Sequence, residues 1–428
     1  MAPAMKTRTG QNRRALKTRR HQKTTLMSKE IILTLNAGSS SLKFALFTPT
    51  NRPRRLWSGA ITRIGLPRAR FRLSNARQTI VADETGVCDN HGAALAWLLQ
   101  IISSLPGKPE LVAVGHRVVH GGADCDCPKR VSPALMEQLR LLIPLAPLHL
   151  PANMAGIDVV QAALPDLPQV ACFDTSFHHD LPHIARMTGL PRHYGKDGVR
   201  RFGFHGLSYE FILDALQQDG VNTSAERIII AHLGNGASMV AIRGGKPMET
   251  TMGFSTLSGL PMGTRSGDLD PGILLHLIQE KGMKPDEVSN LLYKQSGLLG
   301  VSGLSRNMQD LLNSPDPAAE EAVEFFCYQA RLQLARLTGA LGGLTRVVFT
   351  GGIGQNAPFV RAKICTGLDY LGVTIDSAAN SKRHGIVSQP GAHAIVEARA
   401  TDEEKMIARH VADNMLSDAI VPAIATEV

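Results

Sequence analysis

An apolar run that breaks into glycine and small polar residues and then resumes occurs twice in this chain, roughly two hundred residues apart in its numbering. The first copy is residues 31–36, then AGSSS, then 42–47; the second is 228–233, then GNGAS, then 239–242, with Gly244-Gly245 closing a further hairpin. A third apolar run, 347–350, meets GGIGQN as a turn and leads to a helix predicted from Ala357 with Pro358 in its first turn. A chain of 428 residues exceeds what one hydrophobic core usually supports, so the repeated unit predicts a duplicated domain. Strand units mixed with helical stretches place it in the α/β class, with helices packed on sheets.

Helix starts are predicted at Ser132-Pro133 and Asp270-Pro271, and a long helix over 317–337. Between the periodic segments lie loops at 120–124, 145–153 and 253–272. The last is long, nearly free of helix signals and contains an arginine, which points to function rather than filler.

Charge narrows the function classes. The formal charge is +9, yet residues 1–28 hold eight Lys and Arg and no acid, which leaves +1 for the rest. The basicity belongs to an extension predicted to be disordered, so no nucleic-acid-binding body is expected beyond weak contacts of that tail. The extension lacks the apolar centre of a secretory signal, and Met27 is an alternative start. The most lipophilic stretch, 139–150, is broken by Pro144 and Pro147, so no membrane span is expected. The six cysteines offer one CxC, Cys125-Asp126-Cys127, and are expected to be free thiols in a reducing cytosol.

Gly-rich turns let backbone N–H groups converge on a phosphate. In the first turn Asn36, Ser39 and Ser41 add neutral ligands and Lys43 a charge; no GxxxxGK[ST] pattern is present. Isolated cations sit beside glycines at His116-Arg117 with HGG, at GFHG and at GTRSG, with His149 alone in its loop. Phosphoryl transfer wants that pattern, because it needs positioning and charge neutralisation more than covalent help. Acids are scarce there: Asp174 ends an apolar run, and Thr401-x-x-Glu404 reads as a capping box, which leaves Glu403 to face a metal.

The ordered set NAGSSSLK, VGHRVVHGG, FDTSFH, RFGFHGLSY, HLGNGAS, MGTRSGDLDPG, GGIGQN and TDEEKMIAR resembles the acetate kinases, a family of the acetate and sugar kinase/chaperone ATPase/actin superfamily. The resemblance runs from about Ile31 to the helix after Thr401. It implies a duplicated ribonuclease H-like, actin-like ATPase fold with two domains around a central cleft: 29–175 joined by a C-terminal helix of about 397–428, and a nucleotide-binding domain of 176–396. The implied reaction is reversible, in-line phosphorylation of acetate by ATP, with propionate or butyrate as alternative acceptors and an actin-like or chaperone-type ATPase as the distant alternative.

By position in matching motifs, the resemblance implies that Asn36 and Glu403 hold Mg²⁺ or Mn²⁺ and that Ser39, Ser41 and Lys43 handle phosphates. Arg117 and Arg265 would bind the carboxylate and the moving phosphoryl group, His205 its equatorial oxygens, and Asp174 would be the essential acid. Val119, Leu148, His149, Phe204 and Thr256 would surround the acyl group. The nucleotide would lie on His232, Leu233, Gly234, Asn235 and Gly236, on Asn307, Met308 and Gln309, and on Gly351, Gly352, Ile353, Gly354 and Gln355. A cytoplasmic homodimer is implied. Departures are Asn307 to Gln309 where the family carries Asp and Arg, Gln355 for Glu, and Thr256 where proline is frequent. A carboxylate acceptor is ionised at neutral pH and needs no general base, which fits a site rich in Arg and His and makes Asp174 an orienter.

Overall fold

The computed structural model describes residues 29–382 and 384–424; the basic extension and the alternative start at Met27 lie outside them. Two sheets carry the fold. The first consists of β1 (Glu30–Gly38), β2 (Ser41–Phe47), β3 (Arg55–Thr62), β4 (Ala69–Asn75), β5 (Ile80–Gly86), β6 (Glu110–Val118), β7 (Lys129–Arg130) and β8 (Gln169–Phe173), in the order β5-β4-β3-β2-β1-β6-β8-β7. The second consists of β9 (Arg227–Leu233), β10 (Ala237–Arg243), β11 (Lys246–Thr250), β12 (Arg346–Thr350), β13 (Gly385–Ile386) and β14 (Ile395–Ala398), in the order β11-β10-β9-β12-β14-β13.

The duplication is explicit in the pairing. In both sheets three strands form an antiparallel meander (β1-β2-β3 and β9-β10-β11), its first strand pairs parallel with a later strand (β6 or β12), and that strand pairs parallel with another (β8 or β14). A short antiparallel strand, β7 or β13, then closes the edge. Central parallel strands are buried on both faces and therefore read as continuous apolar runs, as in RIIIAHL and RVVFT.

Side chains alternate between two layers. In β1, Ile31, Leu33 and Leu35 pack with Leu95, Leu98 and Ile102 of the helix His91–Ser104, while Ile32 faces the other way. That other face is covered by the last helix, Glu403–Ile424, through Met406, Ile407, Ala408 and Val411. In the second sheet Ile228 and Ile230 meet Tyr209, Ile212 and Leu216 of the helix Gly206–Gln218, and Ile229 and Ala231 share a core with the long helix Pro317–Leu341. Each sheet thus borrows a helix from across the duplication: 206–218 follows the first sheet and covers the second, and 403–424 follows the second and covers the first. No described helix is long and apolar enough to cross a membrane.

Three local expectations are corrected. GGIGQN is not a turn but the helix Gly351–Asn356, followed by Pro358–Cys365. The 145–153 loop ends early, because Leu150–Ala163 is helical and Pro151 stands in its first turn, where its missing N–H costs no bond. The last helix is capped by Asp402, whose Oδ1 accepts the Lys405 N–H at 2.9 Å, and not by a Thr401–Glu404 box. Thr401 Oγ1 instead accepts from Ser208 Oγ at 2.9 Å, and Glu404 pairs with Arg55 at 3.4 Å.

Candidate active site

The first Gly/Ser turn is tighter than its sequence suggests. Gly38 pairs with Ser41, leaving Ser39-Ser40 as a two-residue connection, and Asn36 stands opposite Lys43. Alternation puts Asn36, Ser41 and Lys43 on the sheet face covered by the last helix, the helix that begins at Glu403. The Asn36 amide makes no hydrogen bond with any described residue. Asn153 ties this turn to the end of β6: its Nδ2 donates to the Ala37 carbonyl at 2.9 Å and its Oδ1 accepts from the Val119 N–H at 3.0 Å. Sequence reading missed Asn153, which lies in a stretch taken for loop.

At the carboxyl ends of β6 and β8, Arg117 and Asp174 meet. Arg117 Nε donates to both Asp174 oxygens at 3.0 and 3.2 Å and Nη2 to Oδ2 at 2.6 Å, while Nη1 lies 3.3 Å from Glu403. Burial opposes both charges of this pair. For Arg117 the fields of Asp174 and Glu403 outweigh it and hold the guanidinium higher than usual; for Asp174 burial wins and raises the carboxyl, against the pull of Arg117. Since both oxygens accept N–H donors, the carboxylate is the form that fits. Asp174, at the end of its apolar run, therefore anchors Arg117.

Arg265, from the long 253–272 loop, differs in having no acid beside it. Its Nη1 donates to the Thr256 carbonyl at 3.2 Å and its Nη2 to His149 Nε2 at 3.3 Å. Burial lowers its affinity for the proton, and Arg117 adds to that. His149 must accept here, and burial with both guanidiniums brings its pKa down to about 4. His205 is held well below the ordinary range by burial and then by His232, Arg117 and Arg265. It sits at φ 61°, a left-handed conformation for a residue with a side chain, just ahead of the helix 206–218. Its ring stacks on His232 at 4.4 Å and 18°, and a side chain at Gly236 would begin 3.2 Å from His205 Nε2 and 3.7 Å from Arg265 Nη1. His205, Arg265 and the GNG turn therefore meet at one place.

Val119 and Phe204 share a buried cluster and Thr256 is buried, whereas Leu148 is 39% exposed. A cleft of about 380 Å³ is lined by Gly234, Asn235, Asn307, Met308, Gln309, Gly352 and Ile353, and also by Arg306, Leu312, Asn356 and Ala357, which sequence reading left out. His232, Leu233, Gly236, Gly351, Gly354 and Gln355 are not among its walls, and neither are Ser39, Ser41 and Lys43. Asn307 Oδ1 caps a short helix by accepting the Gln309 N–H at 3.0 Å. Arg306 brings to this cleft the cation that Gln309 lacks.

Among the described residues no group of three His, Cys, Asp or Glu side chains is arranged to hold a metal ion. An amide oxygen and one carboxylate, Asn36 and Glu403, still suit Mg²⁺, a hard cation commonly held by one or two protein ligands plus phosphates and water. The thiols of Cys88, Cys125, Cys127, Cys172, Cys327 and Cys365 are all free.

Comparison with known proteins gives one consistent picture. The family model described as "Acetokinase family" matches residues 31–409. An acetate kinase of Rhodopseudomonas palustris is 46% identical over 393 residues, which span 89% of this chain and 98% of that protein. Among solved structures, the acetate kinase of Porphyromonas gingivalis superposes with a TM-score of 0.81 at 34% identity, covering 90% of this chain and 99% of its own. A propionate kinase from Francisella tularensis superposes with a TM-score of 0.84, also at 34% identity and with the same coverage.

Proposed function

The chain belongs to the acetokinase family, and from that premise we propose how its site moves a phosphoryl group between ATP and acetate. The reaction is the reversible phosphorylation of acetate to acetyl phosphate. The observation that carries the site assignment is Arg265, a half-buried guanidinium whose hydrogen-bond partners are all neutral. Its charge is compensated when an anion enters, and the neighbouring histidines, kept neutral, do not compete for that anion.

In this reading the acceptor carboxylate and the moving phosphoryl group sit between Arg265, Arg117 and His205 Nε2, with the methyl group against Val119, Phe204 and Thr256. No residue removes a proton, because the acceptor is already an anion. Asp174 fixes the Arg117 plane through its three short contacts and so fixes where that charge points. Gly234, Asn235, Met308, Gly352 and Ile353 receive the nucleotide in the 380 Å³ cleft. Asn36 and Glu403 would hold Mg²⁺, which when bound would supply neutralisation of phosphate charge.

The two domains divide as 29–175 with the last helix, and 176–396. A cytoplasmic homodimer completes the reading. Its support is the helix Pro271–Gln279, which buries none of its side chains and exposes Ile273, Leu275 and Ile278. The deciding experiment incubates the full chain with ATP, Mg²⁺, hydroxylamine and acetate, propionate or butyrate. Acetohydroxamate is the expected product; ATP hydrolysis with no hydroxamate from any acid sinks the proposal. Light scattering on the same sample tests the dimer.

A further inference from the structure

His205 has two ring nitrogens, and only one faces the place where it meets Arg265. Nδ1 lies 2.7 Å from Ser238 Oγ, which is also bonded to the Tyr209 hydroxyl. All three residues are buried, Tyr209 and Ser238 completely. Ser238 is the only described partner of the Tyr209 hydroxyl. Nε2 has no partner among the described residues and lies on the Gly236 side, near Arg265 Nη1.

We infer that Tyr209 and Ser238 are positioning residues that hold His205 as the neutral tautomer with its proton on Nε2. The reasoning is a count of hydrogens. A buried phenol with one partner must donate to it, since the reverse arrangement strands its hydrogen. Ser238 then receives from Tyr209 and has its own hydrogen left for His205 Nδ1. With Nδ1 accepting, the single proton of a neutral imidazole sits on Nε2. Burial pushes the Tyr209 phenol up and His205 down, so neither group breaks the chain by ionising.

The stacked partner ring is wired the opposite way. His232 Nδ1 lies 2.8 Å from Ser208 Oγ, whose hydrogen goes to Thr401 Oγ1. His232 must therefore donate from Nδ1 and carries a bare Nε2. Two stacked imidazoles, served by the consecutive residues Ser208 and Tyr209, thus carry opposite tautomers, one with its proton on Nε2 and one with Nε2 bare. For an anionic group beside Arg265 the difference is decisive: the Nε2–H tautomer attracts a phosphoryl oxygen and the other aims a lone pair at it.

The functional half of this inference rests on the proposed placement of His205 at the phosphoryl group, and the test separates the two. Nitrogen-15 NMR of histidine-labelled protein reads the tautomer, with the His205 signals identified by their loss in His205→Gln. The expected result is Nε2–H in the wild type, a mixture in Tyr209→Phe and loss in Ser238→Ala, with Ser238→Thr restoring it. The kcat of Ser238→Ala should fall by about a hundredfold and that of Tyr209→Phe by about tenfold, with both KM values nearly unchanged. A wild-type His205 protonated on Nδ1 or doubly protonated overturns the inference, as does a Tyr209→Phe protein with unaltered tautomer. If Ser238→Ala does not fold, Tyr209→Phe, which keeps the ring packing, decides alone. A shifted tautomer with unchanged kcat upholds the lock and removes His205 from the phosphoryl group.

Discussion

Arg117 and Asp174 stand 57 residues apart and share three hydrogen bonds, a pairing set by β6 and β8 lying side by side. Removing half of a buried ion pair is strongly destabilising, and here it leaves Arg117 only Glu403 at 3.3 Å, so Asp174→Asn should cost at most roughly 3–5 kcal/mol of stability, read by urea unfolding. Its kcat should fall as well, because Arg117 loses the contact that orients it; near-full activity would rule out the orienting role. Arg265 has no such anchor, so Arg265→Ala should fold normally yet lose about three decades of kcat, measured as hydroxamate formation. A second consequence concerns pH. His116, His120, His149, His178 and His232 are each brought down to about 4, burial being the leading cause in every case. Between the ordinary 6.5 and 4 the unfolded chain binds protons that the folded one refuses. Stability is therefore full above 6.5 and declines as pH falls through that window, by roughly 1.4 kcal/mol per pH unit for each histidine. Urea midpoints at pH 7.5, 6 and 5 check the sign.

Elements decide where those residues end up. The last helix lies so close to β6 that a Cβ at Gly115 would meet Ile407 at 2.5 Å and Val411 at 2.6 Å. Gly115→Val should push that helix off the sheet, lowering the melting temperature and, through Glu403, weakening Mg²⁺-dependent activity more than nucleotide binding. Parallel assays of melting and of metal dependence test this; an unshifted melting curve contradicts it. The helix Gly351–Asn356 explains the largest misreading. Three glycines make GGIGQN a poor helix former, and the reading as a turn followed local propensity. Tertiary contacts override it: the fully buried Arg361 donates to the carbonyls of Gly354 at 2.9 Å and Gln355 at 2.8 Å, satisfying the helix end. Gly351, at φ 77°, lets this helix start against the Leu233 carbonyl, where a Cβ would come within 2.6 Å.

At the scale of the molecule the exchange of helices across the duplication makes the two halves mutually dependent. Ending the chain after Ala400 would bare Ile32, Ala45, Phe47, Ala113 and Val170, all of which pack on the missing helix. Such a protein should aggregate or bind a hydrophobic dye, whereas deletion of residues 1–28 should leave activity unchanged; a folded, monodisperse chain lacking the helix would refute the dependence. By itself the sequence determined the strands β1, β2, β9, β10 and β12 and the duplication they announce, because alternation, apolar runs and glycine turns are local consequences of backbone geometry. It could not show that Asp174 grips Arg117, that Arg265 has only neutral hydrogen-bond partners, or that Tyr209 and Ser238 stand behind His205. Those are contacts between residues far apart in the chain, and their chemistry depends on burial and on which groups share a space. Only the folding of both halves around one site decides that.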